Sequence, residues 1–396
     1  MRTQLILLAI LVSFSAYAEL KPGFDKNEAR DMIALCNSYT FLDLYGSDAE
    51  IIPNDYKKIY TSATFGTDNK YQIYLHGDVA VINFRGSTDK QISWMQNMYS
   101  SMIPARNSMV INGEKFTYCF ARNKNAAVHS GYALGIGFMH EDIISQIAKL
   151  NKEGVYSFII TGHSQGGALA NLLRAYLGNL VHNEISTKNK FKVYSFAAPM
   201  CGNKEFAEEY NSHYATSNSS FNIINKPDLI PTFPLSYNDT SSVKDYLFNY
   251  IGDREDFSFK KLFFDRGATF FEENLSSIVK RFSSSASQRI GKDVGDVEMP
   301  PYIEDVNYHR CDKVIELGGF EYPKVLKDSS ILQNDSLMAL AVYARGSDGH
   351  FIDERLYKKA PLFYQHKPYN YYVCILRTYF PADYKALKRK YLPENL

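Results

Sequence analysis

Ser164 lies in Gly162-His163-Ser164-Gln165-Gly166, a G-x-S-x-G pattern that sets a serine on a tight turn between a strand and a helix. A serine hydroxyl is a poor nucleophile at neutral pH. The chemistry this pattern offers, attack on a carbonyl, therefore needs an imidazole base and a carboxylate behind it. Asp228, in Lys226-Pro227-Asp228-Leu229-Ile230-Pro231, follows a strand-like run and lies downstream of the serine, in the order serine, acid, histidine used on α/β-hydrolase sheets. Three histidines come later: His309, His350 and His366. His366 is preferred because it stands just ahead of the last helical segment, with Pro368 suited to a helix entrance. His350, in the Gly-flanked loop from Gly346 to Phe351, is the alternative, and His309 is the third candidate.

The elements that must position these groups are legible around them. Ser157 to Thr161 is a short apolar run rich in β-branched residues, right for a buried strand, and Ala168, Leu169, Leu172, Leu173, Tyr176 and Leu177 recur at helical spacing. The start of that helix would present unpaired N–H groups to an oxyanion. Earlier, residues 27–39 have helical spacing, and residues 71–75 and 79–84 read as a hairpin about His76-Gly77-Asp78, with His76 a turn imidazole. The second hairpin strand ends in Arg85-Gly86-Ser87-Thr88, where α/β sheets present loops to ligands. Residues 89–102 put Ile92, Met95, Met98, Tyr99 and Met102 on one helical face beside Trp94. That face suits either a lid over a site or an ordinary core-packed helix.

Further on, His129 reads as a buried structural histidine ahead of a helix from about Tyr132 to Lys149. Then come a strand at 192–196, a helix at 204–210 and a strand at 221–225. Strand and helix alternate from 70 to 231, which predicts an α/β fold with a mostly parallel sheet and helices on both faces. Beyond Pro234 the period is lost. Residues 236–300 mix aromatic runs with a serine cluster and read as an insertion or cap over the sheet edge or as a surface excursion. A strand at 313–317 and a helical tail from about Asn370 close the chain.

Composition bounds the function classes. With 396 residues and 45% hydrophobic content, the chain can bury a large core. Arg2, the apolar run from Leu5 to Phe14 and Ala16-Tyr17-Ala18 before Glu19 read as a cleavable export signal over residues 1–18, with a retained membrane anchor as the alternative. That leaves residues 19–396 as one domain with an insertion at about 236–310, secreted or periplasmic. The 44 basic and 43 acidic residues nearly cancel, which argues against nucleic acid as partner. The five cysteines allow at most two bridges, and their spacing fixes no pairing. No CxxC motif occurs, so the sequence gives no support for a structural metal.

Five ordered stretches together resemble the fungal-type, class 3 triacylglycerol lipases: Phe84-Arg85-Gly86-Ser87, Val128 to Tyr132, Gly162 to Gly167, Ala198-Pro199 with Gly202-Asn203, and Asn225 to Pro231. The resemblance covers about residues 70–235. It implies an α/β-hydrolase fold and an exported serine esterase acting on lipid esters at a membrane or emulsion surface, with no metal or organic cofactor. By the same resemblance Ser164 would be the nucleophile, Asp228 the acid, and Ser87 and Gln165 the oxyanion-hole residues. Tyr371 matches an aromatic that the family often carries after its histidine, and the family's lid begins directly after the oxyanion residue, as residues 89–102 do here. The chain departs from the family in the long stretch between acid and histidine. Phospholipase A1 or short-chain carboxylesterase activity, or an inactive lipid- or surface-binding protein on the same fold, are the competing readings.

Overall fold

Strands that are apolar on both faces must be covered on both faces, and the strand Ser157–His163 shows the arithmetic. Within it Phe158 and Ile160 enter one core while Ile159 enters the other, as the two-residue period of a strand requires. The computed structural model describes residues 20–41, 51–180, 184–234, 284, 287–305, 307–333, 343–361 and 363–391. Its elements begin with α1 (Lys26–Phe41), β1 (Lys57–Thr61), β2 (Tyr71–His76), β3 (Val79–Phe84), α2 (Gln91–Met98), β4 (Met102–Pro104), β5 (Arg106–Ile111), β6 (Glu114–Cys119) and β7 (Ala127–His129). They continue with α3 (Ser130–Lys152), β8 (Ser157–His163), α4 (Gln165–Gly178), β9 (Lys190–Phe196), α5 (Lys204–Tyr210), β10 (Ser220–Asn225), β11 (Val297–Glu298), β12 (Lys313–Leu317), α6 (Pro368–Tyr379) and α7 (Pro381–Ala386).

The main sheet has seven strands in the order β1-β2-β3-β8-β9-β10-β12. From β3 onward every pair is parallel, and β1, β2 and β3 add an antiparallel edge. The fold is thus α/β, a mostly parallel sheet flanked by helices. One face is covered by α2, α3 and α4, through Met95, Tyr132, Leu134, Leu169 and Leu172. The other is covered by α1 and α6, through Met32, Ile33, Tyr371, Val373 and Ile375. The carboxyl ends of β3, β8 and β10 therefore open on one rim, and Ser87, Ser164 and Asp228 follow them.

Several elements were not anticipated. Residues 106–119 form the β5–β6 hairpin about Asn112 and Gly113, with φ of 51° and 84°, and β11 extends it. The returning chain is stitched to the body: Ile303 N–H donates to the Met102 carbonyl (2.9 Å), Tyr308 OH to the Ser100 carbonyl (2.7 Å) and His309 N–H to the Gly202 carbonyl (2.9 Å). The last part of the expected 236–310 insertion is thus part of the domain's surface wall, while its bulk, residues 235–283, lies outside the described residues. So does the expected signal, residues 1–18.

Candidate active site

The elbow is built as its sequence requires. Ser164 has φ 58° and ψ −128°, a conformation costing a non-glycine residue about 1–3 kcal/mol. The turn holds it there: Ser164 N–H donates to the Phe196 carbonyl (2.8 Å), and its own carbonyl accepts from Gly167 N–H (2.9 Å) and Ala168 N–H (3.2 Å). The flanking glycines leave no room for side chains. A Cβ on Gly162 would lie 2.3 Å from the Gly166 backbone, and one on Gly166 would lie 2.5 Å from the Phe84 carbonyl.

Against this serine the fold brings one histidine and one carboxylate. His366 Nε2 is 2.8 Å from Ser164 Oγ, and His366 Nδ1 is 2.9 Å from Asp228 Oδ2. A carboxylate only accepts, so Nδ1 carries the proton toward Asp228 and Nε2 faces the serine as acceptor. Asp228 is 2% exposed in its side chain. It also accepts from Tyr371 OH (2.7 Å) and, through Oδ1, from Ile230 N–H (3.0 Å).

The loops carrying these groups are tied to one another. Asn225, closing β10, donates its N–H to Tyr371 OH (3.0 Å) and its Nδ2 to the Gln365 carbonyl (3.0 Å). The Gln365 side chain bonds both backbone groups of Phe320. Arg310 donates to the Pro231 carbonyl (2.8 Å) at the end of the acid loop. His163 lies beneath the imidazole with its ring centroid 4.7 Å from that of His366. Burial, and then the nearby His366, hold the His163 pKa well below the usual imidazole value, so it serves as a neutral floor.

Ser87 and Gln165 meet directly. Ser87 OH donates to Gln165 Oε1 (2.8 Å), Ser93 OH reaches the same oxygen (3.3 Å), and Asn97 Nδ2 donates to Ser87 Oγ (2.8 Å). Asn97 is held in turn: its Oδ1 accepts from Tyr132 OH (3.1 Å), and its carbonyl lies 3.2 Å from His129 Nε2. His129 is fully buried, accepts Tyr132 N–H at Nδ1 as the cap of α3, and stacks on the Tyr132 ring at 3.8 Å. Burial lowers its pKa to about 3, so Nε2 is the proton-bearing nitrogen that faces Asn97. Behind the loop, the Asp68 carboxylate receives Arg85 Nη2 (2.9 Å), Lys90 Nζ (2.8 Å) and Thr88 OH (2.7 Å). Although burial acts the other way, the Lys90 and Thr88 hydrogen bonds and the Arg85 charge hold its pKa below the usual carboxylate value.

The other histidines lie elsewhere. His350 is exposed in its loop, its N–H on Asp348 Oδ1 and its ring beside Tyr357. His309 Nε2 contacts Asn307 (3.2 Å), and its backbone bridges to Gly202. Residues 89–102 are tied to the body of the fold: Met95 and Tyr99 enter the main core, and Ser93 and Gln96 are buried on polar partners. Trp94 stands toward Phe363, which is itself beside His366 (6.1 Å between centroids for each pair). Asn97 was not singled out from the sequence, and Tyr132 and Asn225 entered only as members of motifs, with no role of their own. They are single polar residues at positions that read as helix surface or strand end, and only the tertiary structure turns them inward.

A mostly parallel sheet with a serine at the β8–α4 elbow, and an acid and a histidine on loops beyond later strands, defines the α/β-hydrolase class. Within it, residues 81–238 match the family described as Lipase (class 3). Lipase ZK262.3 of Caenorhabditis elegans is 35% identical over 86 residues, which span 22% of this chain and 23% of that protein. The chain thus spans about a quarter of that curated relative. Among solved structures, a triacylglyceride lipase from Rhizomucor miehei is 22% identical, with a TM-score of 0.40, covering 54% of this chain and 77% of that one. A fungal lipase–inhibitor complex is 21% identical, with a TM-score of 0.41, covering 53% and 74%.

Proposed function

We propose that the protein is an exported serine hydrolase that cleaves carboxylic esters of lipids, triacylglycerol lipase-like, through an acyl-enzyme on Ser164. The observation that carries this reading is the unbroken relay from Ser164 Oγ through His366 to Asp228, at 2.8 and 2.9 Å, on a turn that holds the serine at the rim of the sheet. The family match over residues 81–238 supports esters rather than amides as substrates. Residues 1–18 would direct export, and residues 19–396 would form one domain.

In this mechanism His366 Nε2 takes the Ser164 proton as Oγ attacks the ester carbonyl, and Asp228 compensates the imidazolium that forms. The oxyanion would face the N–H of Gln165 at the start of α4, where first-turn N–H groups have no intrahelical acceptor, and the N–H of Ser87. The Ser87 hydroxyl now donates to Gln165 Oε1, so it must rotate to join them. His366 then protonates the leaving alcohol, and water activated by the same nitrogen hydrolyses the acyl-enzyme.

The test is turnover of p-nitrophenyl esters from acetate to palmitate, together with triacylglycerol and phospholipid emulsions. Long-chain and triacylglycerol cleavage is expected, lost in Ser164→Ala without loss of fold. Activity confined to short soluble esters would make it a carboxylesterase, and preference for phospholipid a phospholipase A1. No turnover of any ester by the folded chain would refute the reading.

A further inference from the structure

Two of the five cysteines, far apart in sequence, pack against one helix. Cys201 follows β9, and Cys311 immediately precedes Asp312 and β12. Both are buried in the same core, and both sulfurs rest on one face of α4: Cys201 Sγ lies 3.6 Å from the Ala168 carbonyl, and Asn171 Nδ2 lies 3.6 Å from Cys311 Sγ. Ala168 and Asn171 are three apart on that helix and hence neighbours on its surface. The backbone brings the two segments together, because Gly202, next to Cys201, and His309, two residues before Cys311, form an isolated antiparallel bridge. Both sulfurs therefore lie against the same stretch of α4, and the Cys201 thiol is the foremost influence raising the Cys311 pKa, followed by burial.

The other three cysteines have different surroundings. Cys36 contacts Asn83 and Thr161, Cys119 reaches the Ala121 carbonyl, and Cys374 is buried within α6.

We propose that Cys201 and Cys311 are joined by a disulfide in the exported protein, formed during folding by exchange with a disulfide oxidant. One thiolate attacks the oxidant, giving a mixed disulfide and one released thiol. The second thiolate displaces the other half, so the two cysteines lose two protons and two electrons while the oxidant is reduced to two thiols. In the folded chain both sulfurs are buried away from a solution oxidant, so exchange belongs to the folding stage.

The position gives the bond a use. Between residues 201 and 311 lie the acid loop and a further long stretch of sequence, ahead of strand β12, which among the described residues pairs only with β10. Closing so long a loop is entropically costly, and a cross-link at its base removes much of that cost. It also fixes the segment that places Arg310 on the acid loop.

The proposal leans on export only for its setting in the cell, and the test supplies the oxidant directly. The whole reduced chain is refolded in a glutathione and glutathione-disulfide buffer, free thiols are alkylated, and peptides are mapped by mass spectrometry without reduction. A linked pair containing Cys201 and Cys311 is expected, with the other three alkylated. Reduction should lower Tm by on the order of 5 °C, and the double variant Cys201→Ala/Cys311→Ala should lose that response. Linkage of any other pair, or five alkylated cysteines after oxidative refolding, overturns the proposal. The map of the unmutated chain decides even if the double variant does not fold.

Discussion

His366 and His350 are sixteen residues apart in the chain and chemically identical, yet only one has a carboxylate at one nitrogen and a serine hydroxyl at the other. Replacing His366 by Ala should lower kcat by about 10⁴-fold or more, whereas His350→Ala should leave the rate within about twofold. Steady-state kinetics on a soluble ester separates the two. Tyr371 acts at one remove. Its hydroxyl donates to Asp228 and accepts from Asn225 N–H, so Tyr371→Phe leaves a buried carboxylate one donor short. Hydrogen bonds to charged groups are worth about 1.5–3 kcal/mol, so kcat/KM should fall roughly 10- to 100-fold in a protein that still folds.

At the scale of elements, α2 shows what the sequence could and could not say. Its apolar spacing is real, and Met95 and Tyr99 are in the core. Gln96 and Asn97, however, read as the solvent face of an amphipathic helix. They are instead drawn inward by Thr67, Ser87 and Tyr132, partners that are remote in sequence and invisible to a helical period. The β5–β6 hairpin was a different omission. Asn112-Gly113, flanked by alternating strand residues, is the favoured signal of a tight hairpin turn, and both residues adopt the positive φ that signal demands.

His129 was correctly read as buried, and it brings a pH dependence. Its folded pKa of about 3 lies below the unfolded value near 6.5. The unfolded chain therefore takes up a proton that the folded one refuses, and the stability this residue contributes is complete above pH 6.5 and declines as pH falls toward 3. Urea titrations between pH 7 and 4 should show that decline, by about 1.4 kcal/mol per pH unit at most. A His129→Gln variant should show a slope shallower by up to one proton.

For the molecule as a whole, the sequence order of the motifs was enough to place Ser164, Asp228 and the Ser87 loop on one rim. A parallel sheet with right-handed connections leaves few other arrangements. The histidine was harder to place, because its loop is fixed by Asn225, Phe320 and Tyr371, contacts that no local pattern records. The long stretch between acid and histidine gave no period from which to read it, and its return, from β11 to Asp312, is held by a short ladder to β5 and by isolated bridges to β4 and the turn after β9.

The most direct measurement is reaction of the folded protein with a fluorophosphonate probe, followed by peptide mapping of the adduct. The predicted result is one adduct, on Ser164, absent in Ser164→Ala and slowed by orders of magnitude in His366→Ala. A folded protein that leaves Ser164 unlabelled, or a Ser164→Ala variant that labels and turns over esters undiminished, would contradict the assignment of Ser164 as nucleophile.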